Sequence, residues 1–152
     1  MNVAFQVSAL SIEQVPLTYP LIQAIWPGIA LPAWEEYAAH LLAEDNDNGA
    51  ICLWDNAGCV CGLAAYRPDR DLLVGPVLAT HLFAVVDLAN SLRTVRALLD
   101  AVDTRAYELG CTNLHLRLHS GQSMLASRLN TLGLAFEAGL LSQPVSSKPP
   151  QN

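Results

Sequence analysis

Residues 50–86 read AICLWDNAGCVCGLAAYRPDRDLLVGPVLATHLFAVV, and this stretch decides the fold. Its first two apolar runs, residues 50–54 and 59–66, flank the turn sequence Asp-Asn-Ala-Gly, which is the pattern of a hairpin. A second turn, predicted at residues 67–71, leads into a long apolar run with a strand that ends around Val86. The stretch therefore predicts an antiparallel meander of three strands.

The elements before the meander are a strand and two helices. Residues 3–9 alternate apolar and polar side chains, which indicates a strand. Ser11 and Gln14 have the spacing of a capping box, so a helix begins there or just after it and ends by residues 26–28. Pro32 suits the first position of a second helix, which ends before the meander.

The elements after the meander alternate between helix and strand. Residues 91–109 have a helical apolar period, and Gly110 follows them as a left-handed cap. Leucines alternate with polar residues over 114–119, which predicts a strand parallel to the last strand of the meander. A short helix over 123–132 then leads to a last strand at about residues 135–141.

The predicted order is β-α-α-β-β-β-α-β-α-β. It predicts one α/β domain over residues 1–143, with a mixed, mostly antiparallel sheet flanked by helices on both faces. Residues 144–152 are polar and contain three prolines, so we expect a disordered C-terminal tail.

The composition limits the class of protein. Of 152 residues, 52% are hydrophobic and only 14% are charged, which excludes a disordered chain. The uncharged run between Glu13 and Glu35 contains four prolines, which break the helix that a membrane span requires. No basic segment precedes apolar residues at the N-terminus, so no signal peptide is predicted. We expect a cytoplasmic protein that does not associate with membranes.

The cysteines do not predict a metal site. Four are present, and the pair Cys59 and Cys61 has a C-x-C spacing within an alternating apolar run. No second close pair completes a zinc knuckle, so we expect reduced, mostly buried thiols and no metal.

The charge of the chain argues against nucleic acid. The net charge is −6, and the basic residues are one lysine and seven scattered arginines. Binding to nucleic acid requires clustered basic residues, so no nucleic-acid partner is expected. The preference for arginine leaves open a localised site for an anion.

Four phrases of the sequence carry a family resemblance: Phe83-Ala-Val85, Leu98-Leu99, Tyr107-Glu-Leu-Gly110 and Leu132-Gly-Leu134. With the predicted order of elements, they resemble the GNAT family of acyl-CoA-dependent N-acetyltransferases over residues 3 to about 141. The resemblance implies transfer of an acetyl group from acetyl-CoA to a small-molecule or peptide amine.

The resemblance also implies where acetyl-CoA binds. In the family, the fourth strand exposes its backbone to the pantetheine arm, and a glycine-rich turn presents the amides of a helix N-terminus to the pyrophosphate. The strand residues here are Phe83 and Val85. The residues implied on the turn and at the start of the helix are Asn90, Ser91, Arg93, Thr94, Val95 and Arg96.

The sequence departs from the family at the turn. Arg93 and Val95 stand where the family has glycines. Arg93 and Arg96 lie in the first turns of the helix, where the helix dipole disfavours cations unless an anion lies between them and the helix end. The alternative is that both side chains point into solvent.

A second departure concerns the general acid. The family often has a tyrosine four residues before the glycine that corresponds to Gly133, and this chain has Leu129 there. Gln122 corresponds most nearly to the usual asparagine at the start of the last helix. These departures support a second hypothesis, a non-catalytic domain with the same fold that is kept for binding or assembly and has a decayed acyl-CoA site.

A polar stripe supplies the candidates for chemistry. His115, Arg117 and His119 share one face of a predicted strand whose other face is leucine. On the preceding strand, His81 is predicted to have the same side-chain parity as Phe83. A histidine with a pKa near neutral accepts a proton from an attacking ammonium group, so His119 and His81 are the candidate catalytic residues. The alternative is an edge strand with a solvated polar face.

The candidate acceptor-binding residues are His115, Arg117 and three aromatic side chains. Trp26 and Trp34 flank the proline-rich connection between the first two helices, where the GNAT family shapes its acceptor site, and Tyr66 borders the turn predicted at residue 67. The alternative for both tryptophans is packing in the core.

The composition and the last strand predict a homodimer. Low charge implies an apolar surface patch, and such patches mark interfaces. The chain ends soon after the predicted sixth strand, so the seventh strand of the family is absent or supplied by another copy. The unpaired edge near residues 135–141 is then expected to be covered by a second subunit.

Overall fold

Five strands form one sheet, and helices cover both of its faces. The computed structural model describes residues 5–43, 47–86, 92–135 and 142–144. The strands are β1 (Gln6–Ala9), β2 (Gly49–Trp54), β3 (Val60–Asp71), β4 (Gly75–Val85) and β5 (Asn113–Leu116). The helices are α1 (Val15–Ile25), α2 (Leu31–Ala43), α3 (Arg93–Glu108) and α4 (Ser123–Thr131). Within these ranges, no helix is long and apolar enough to cross a membrane.

Neighbouring strands follow chain order, from β1 to β5. The first four pair antiparallel, and β5 pairs parallel with β4 because the connection through α3 returns the chain to the same end of the sheet. This confirms the predicted mixed sheet and the predicted order of elements through α4. Most of the predicted sixth strand and tail, residues 136–141 and 145–152, lies outside the described residues. The homodimer that rests on that edge stays a prediction.

The sheet separates two apolar cores. Cys52 and Leu53 are successive residues of β2 and lie fully buried in opposite cores, as the alternation of a strand requires. We call the two sides the α1–α2 face and the α3–α4 face. The core on the α1–α2 face includes Ile22, Trp34, Ala38, Leu63 and Ala84, and the core on the α3–α4 face includes Leu78, Phe83, Val95, Leu98 and Val102.

Trp34 belongs to the core on the α1–α2 face, where it is 3% exposed. Its Nε1–H donates to the hydroxyl oxygen of Thr18 at 2.9 Å and, more weakly, to the carbonyl oxygen of Val15 at 3.3 Å. The Thr18 hydroxyl in turn donates to the same Val15 carbonyl at 2.6 Å. The structure therefore places Trp34 in core packing, which is the alternative considered from the sequence.

The prediction of a turn at residues 67–71 is wrong, because β3 continues through Asp71 and the chain turns at residues 72–74. The Asp71 carboxylate accepts hydrogen bonds from the backbone N–H groups of Leu73 and Val74, at 2.7 and 3.1 Å, and so forms the turn itself. Pro68 is tolerated because β2 pairs with β3 only as far as Tyr66, so the strand edge at Pro68 needs no donor.

β4 contains one extra residue, His81. Ala65 of β3 pairs with Leu82, and Tyr66 pairs with Thr80, so His81 stands between two pairs without a partner of its own. This is a β-bulge, which bends the strand and resets its alternation.

The bulge decides which face each β4 side chain occupies. Leu78 and Phe83 are an odd number of positions apart, and yet both belong to the core on the α3–α4 face. Leu82 packs against the opposite core. The prediction that His81 has the parity of Phe83 is therefore wrong, because the alternation slips by one residue between them.

We predict that Trp34→Phe lowers the free energy of unfolding by about 2 kcal/mol, since it removes a buried hydrogen bond and leaves a small cavity. Urea denaturation of the purified variant measures this. Tyr107→Phe is the control, because Tyr107 is 85% exposed and its change is expected to be negligible. A Trp34→Phe protein as stable as the wild type would contradict the core position.

Candidate functional site

A split opens between β4 and β5 just beyond the bulge. Their pairing runs from Val77 with Asn113 to Thr80 with Leu116 and ends there. The last backbone bond joins the N–H of Arg117 to the carbonyl oxygen of Thr80 at 2.9 Å. Beyond that point β4 continues, while the chain after β5 turns towards α4.

Two side chains bridge this split. The Gln122 amide, 6% exposed at the start of α4, donates to the carbonyl oxygen of Phe83 at 2.8 Å. Its own oxygen accepts the backbone N–H of His119 at 2.8 Å. The His119 Nε2 lies 2.9 Å from the carbonyl oxygen of His81. Side chains therefore replace the missing strand pairing and hold the split at a fixed width.

The bond to His81 sets the chemical form of His119. A carbonyl oxygen only accepts hydrogen bonds, so His119 must carry a proton on Nε2. The edge of the ring contacts Trp26, with centroids 5.7 Å apart and an interplanar angle of 82°. The ring is thus held on the α1–α2 face, between the strand and the end of α1.

Positive charge surrounds the His81 side chain. Burial lowers the pKa of His81, and the charges of Arg67 and Arg117 lower it further, whereas Asp69 raises it by less. The imidazole is therefore neutral at pH 7, and the described residues form no hydrogen bond with its ring nitrogens. Such a ring is able to accept a proton.

Tyr37 of α2 completes the same group. Burial raises the pKa of its phenol, and the charges of Arg67 and Arg117 act in the opposite direction. The ring is 41% exposed and stacks on Trp34, with centroids 5.7 Å apart. We call the set of Tyr37, Arg67, His81, Arg117 and His119 the polar cluster. No pattern in the sequence marks Tyr37 as a member of this cluster, because α2 lies far along the chain from the two arginines.

Two of the predicted acceptor-binding residues lie apart from the polar cluster. Tyr66 lies on the α3–α4 face, where its hydroxyl accepts a hydrogen bond from Arg105 Nε at 3.0 Å. His115 is exposed and lies nearer the β3–β4 turn. The hydrogen bonds that Asp71 accepts from Leu73 and Val74 lower the pKa of Asp71, and the charge of His115 lowers it by less. Trp26, in contrast, contacts the cluster through His119.

The peptide groups of Phe83 and Val85 point into the split. The N–H of Val86 donates to Cys61 of β3, so the peptide groups of alternate residues on β4 point away from β3. Their side chains lie on the α3–α4 face, with Phe83 fully buried and Val85 partly so. The backbone of this segment, rather than its side chains, therefore faces the opening.

The N-cap residue of α3 is Leu92, whose side chain cannot accept a hydrogen bond from the first amides of the helix. Arg93 and Arg96 are exposed on the first turn, while Thr94 and Val95 are buried. The bulk of Val95 lies within the core and does not cover the outside of the helix end. Asn90 and Ser91 lie outside the described residues.

No metal centre is formed by the part of the chain that the structure describes, since no three His, Cys, Asp or Glu side chains come together there. The chemistry available to the polar cluster is proton transfer and the binding of anions.

Comparison with known proteins finds similarity in structure only. No protein-family model matches the chain, and no curated protein sequence matches it. The aminoglycoside N-acetyltransferase AAC(6')-Iy in complex with CoA has a TM-score of 0.77 at 15% identity, over 95% of this chain and 97% of that one.

Two further similar structures are of enzymes named for other acceptors. The ribosomal-protein-alanine N-acetyltransferase of Brucella melitensis has a TM-score of 0.74 at 17% identity, over 94% of this chain and all of that one. The glucosamine-6-phosphate N-acetyltransferase of Arabidopsis thaliana has a TM-score of 0.69 at 9% identity, over 94% and 99%. The bulged β4, its split from β5 and the similarity to these structures lead to one conclusion: the chain has the fold of the GNAT acetyltransferases.

Proposed function

We propose that the protein is an N-acetyltransferase that moves an acetyl group from acetyl-CoA to the amine of a small molecule or peptide. The observation that carries this proposal is the split beyond the bulge, where β4 has no neighbouring strand on the side of β5 and the polar cluster lies at the mouth. The structural neighbours support acetyl transfer in general, but their named acceptors differ, so the fold alone does not choose the acceptor.

The residues of the split fit acetyl-CoA. An extended chain with amide groups pairs with an exposed strand edge as a further strand does, and Phe83 and Val85 offer that edge. Arg93, Arg96 and the positive end of the α3 helix dipole offer positive charge to a pyrophosphate. When bound, acetyl-CoA supplies an acetyl group activated as a thioester.

His81 is the residue we assign to proton transfer. Its neutral ring accepts the proton of the acceptor's ammonium group, which frees the nitrogen lone pair for attack. His119 serves as a positioning residue, because its Nε2–H holds the His81 carbonyl and its ring packs on Trp26. Of the two candidate catalytic residues that the sequence offered, only His81 is therefore assigned to proton transfer.

The non-catalytic domain remains the second candidate, and two observations favour it. Gln122 and His119 already bind two carbonyl groups of β4 inside the split. Leu129, at the position of the usual tyrosine acid, is buried in the core at 4% exposure. Binding of acetyl-CoA separates the two candidates.

We predict that acetyl-CoA binds and stabilises the fold. A concentration about 100-fold above Kd raises the free energy of unfolding by about 2.7 kcal/mol. Calorimetric titration gives Kd, and Arg93→Ala is expected to raise it about tenfold through the loss of one charge-assisted contact. Arg70→Ala is the matched control, because Arg70 is an exposed arginine on β3.

Absence of heat and of thermal stabilisation at millimolar acetyl-CoA would exclude the enzyme and support the non-catalytic domain. Binding with the same Kd in Arg93→Ala would instead show that the pyrophosphate lies elsewhere.

We predict that His81 makes the fold sensitive to acid. The pKa of His81 is lowered in the folded protein from an ordinary value of 6.5, so the unfolded chain binds more protons as the pH falls below about 6.5. Stability is therefore retained above that pH and decreases below it. Urea denaturation at pH 7.5 and pH 5 is expected to show a smaller difference in His81→Gln than in the wild type.

The exposed His40 provides the control, since His40→Gln is expected to keep the acid sensitivity of the wild type. An undiminished pH difference in His81→Gln would mean that His81 is as solvated in the fold as in the unfolded chain.

A further inference from the structure

Two arginines flank His81 from opposite sides. Arg67 lies on β3, paired with Ala79 of β4, and Arg117 follows β5, bonded through its N–H to Thr80 of β4. The two backbones are thus two strand spacings apart, roughly 10 Å. Their neighbours Tyr66, Leu116 and Leu118 pack on the α3–α4 face, so both arginines point to the α1–α2 face. There their charges act on His81 and Tyr37.

Neither guanidinium is neutralised within the described residues. The salt bridge found there joins Arg105 to Glu108, on α3. Among the described carboxylates, Asp69 raises the pKa of His81, and its effect is smaller than that of either arginine. Asp71 is engaged in the β3–β4 turn. In a chain of net charge −6, two arginines that form no salt bridge with another described residue and share one face of the sheet make a local positive site.

The charge of this site selects the class of ligand. Guanidinium groups bind carboxylates and phosphates through paired hydrogen bonds, and two of them on the same face of a sheet favour an oxyanion as ligand. A polycationic acceptor such as an aminoglycoside, by contrast, would meet repulsion from both arginines. The acceptor of this chain should therefore differ in charge from the substrates named for some of its structural neighbours.

We infer that the acceptor is an amine that also carries an oxyanion, with Arg67 and Arg117 binding the oxyanion while the amine lies at His81. That the ligand accepts an acetyl group rests on the proposed function. That it carries an oxyanion rests on the two arginines. The oxyanion is separated from the amine by only a few bonds, because both arginines adjoin the histidine.

The experiment uses two matched pairs of amines: glycine with glycinamide, and O-phosphoethanolamine with ethanolamine. The ring signals of His81 and His119 are followed by NMR at pH 7.5 in the full-length protein, and acetyl transfer from acetyl-CoA is followed by release of thiol. In at least one pair, the member that carries the oxyanion is expected to shift the His81 signals at a millimolar concentration. This concentration should be at least tenfold lower than the one that its partner without the oxyanion requires. The pair that responds identifies the oxyanion as carboxylate or phosphate.

Arg67→Gln and Arg117→Gln are each expected to weaken that binding about tenfold, and added salt is expected to weaken it further. Arg70→Gln, a change to an exposed arginine on the same strand, is the control and is expected to bind normally. Three outcomes would overturn the inference. The amines with and without the oxyanion bind equally, neither amine with an oxyanion shifts the signals, or the variant with both Arg67→Gln and Arg117→Gln binds as the wild type does.

The transfer assay tests the proposed function separately. Transfer to the anionic amine supports both proposals. Equally efficient transfer to the amines without an oxyanion overturns the proposal of an oxyanion-bearing acceptor and leaves the proposed acetyltransferase activity intact. Arginine-dependent binding of the anion without transfer overturns the acetyltransferase and leaves the anion site.

Discussion

One extra residue in β4 is the constraint on which the rest of the site depends. With His81 unpaired between Ala65 and Tyr66 of β3, the strand bends, its alternation slips by one, and its pairing with β5 ends at Thr80. Without the bulge, β5 would continue alongside β4, and the peptide groups of Phe83 and Val85 would be used in the sheet. The bulge thus converts a stretch of sheet edge into an opening.

The same slip creates the chemistry beside that opening. Leu78 before the bulge and Phe83 after it both enter the core against α3, so His81 is free to lie towards α1 and α2. There the charges of Arg67 and Arg117 act on its ring, and its carbonyl oxygen accepts a hydrogen bond from His119. The bulge therefore produces both a backbone edge and a polar face at one place. For this reason acetyl-CoA and the acceptor are expected to bind side by side there.

The sequence predicted the elements whose patterns are local. An apolar run before a turn marked β2, alternation marked β5, and the helical period marked α3 to within two residues of its observed start. The bulge has no such signature, because residues 82–86 are apolar on both faces and their alternation carries no information on register. The misplaced turn at residues 67–71 has a related cause. Proline and aspartate resemble a turn, and only the end of β2 pairing at Tyr66 makes them tolerable in a strand.

We propose that acetyl-CoA lies along β4 in the split beside the bulge. Backbone NMR of the protein with acetyl-CoA tests this position. On addition of acetyl-CoA, the amide signals of Phe83, Val85 and the first turn of α3 should shift, while that of Leu63, buried within the sheet on β3, stays unchanged. Shifts confined to other surfaces, such as the β1 edge near Trp54, would contradict the account.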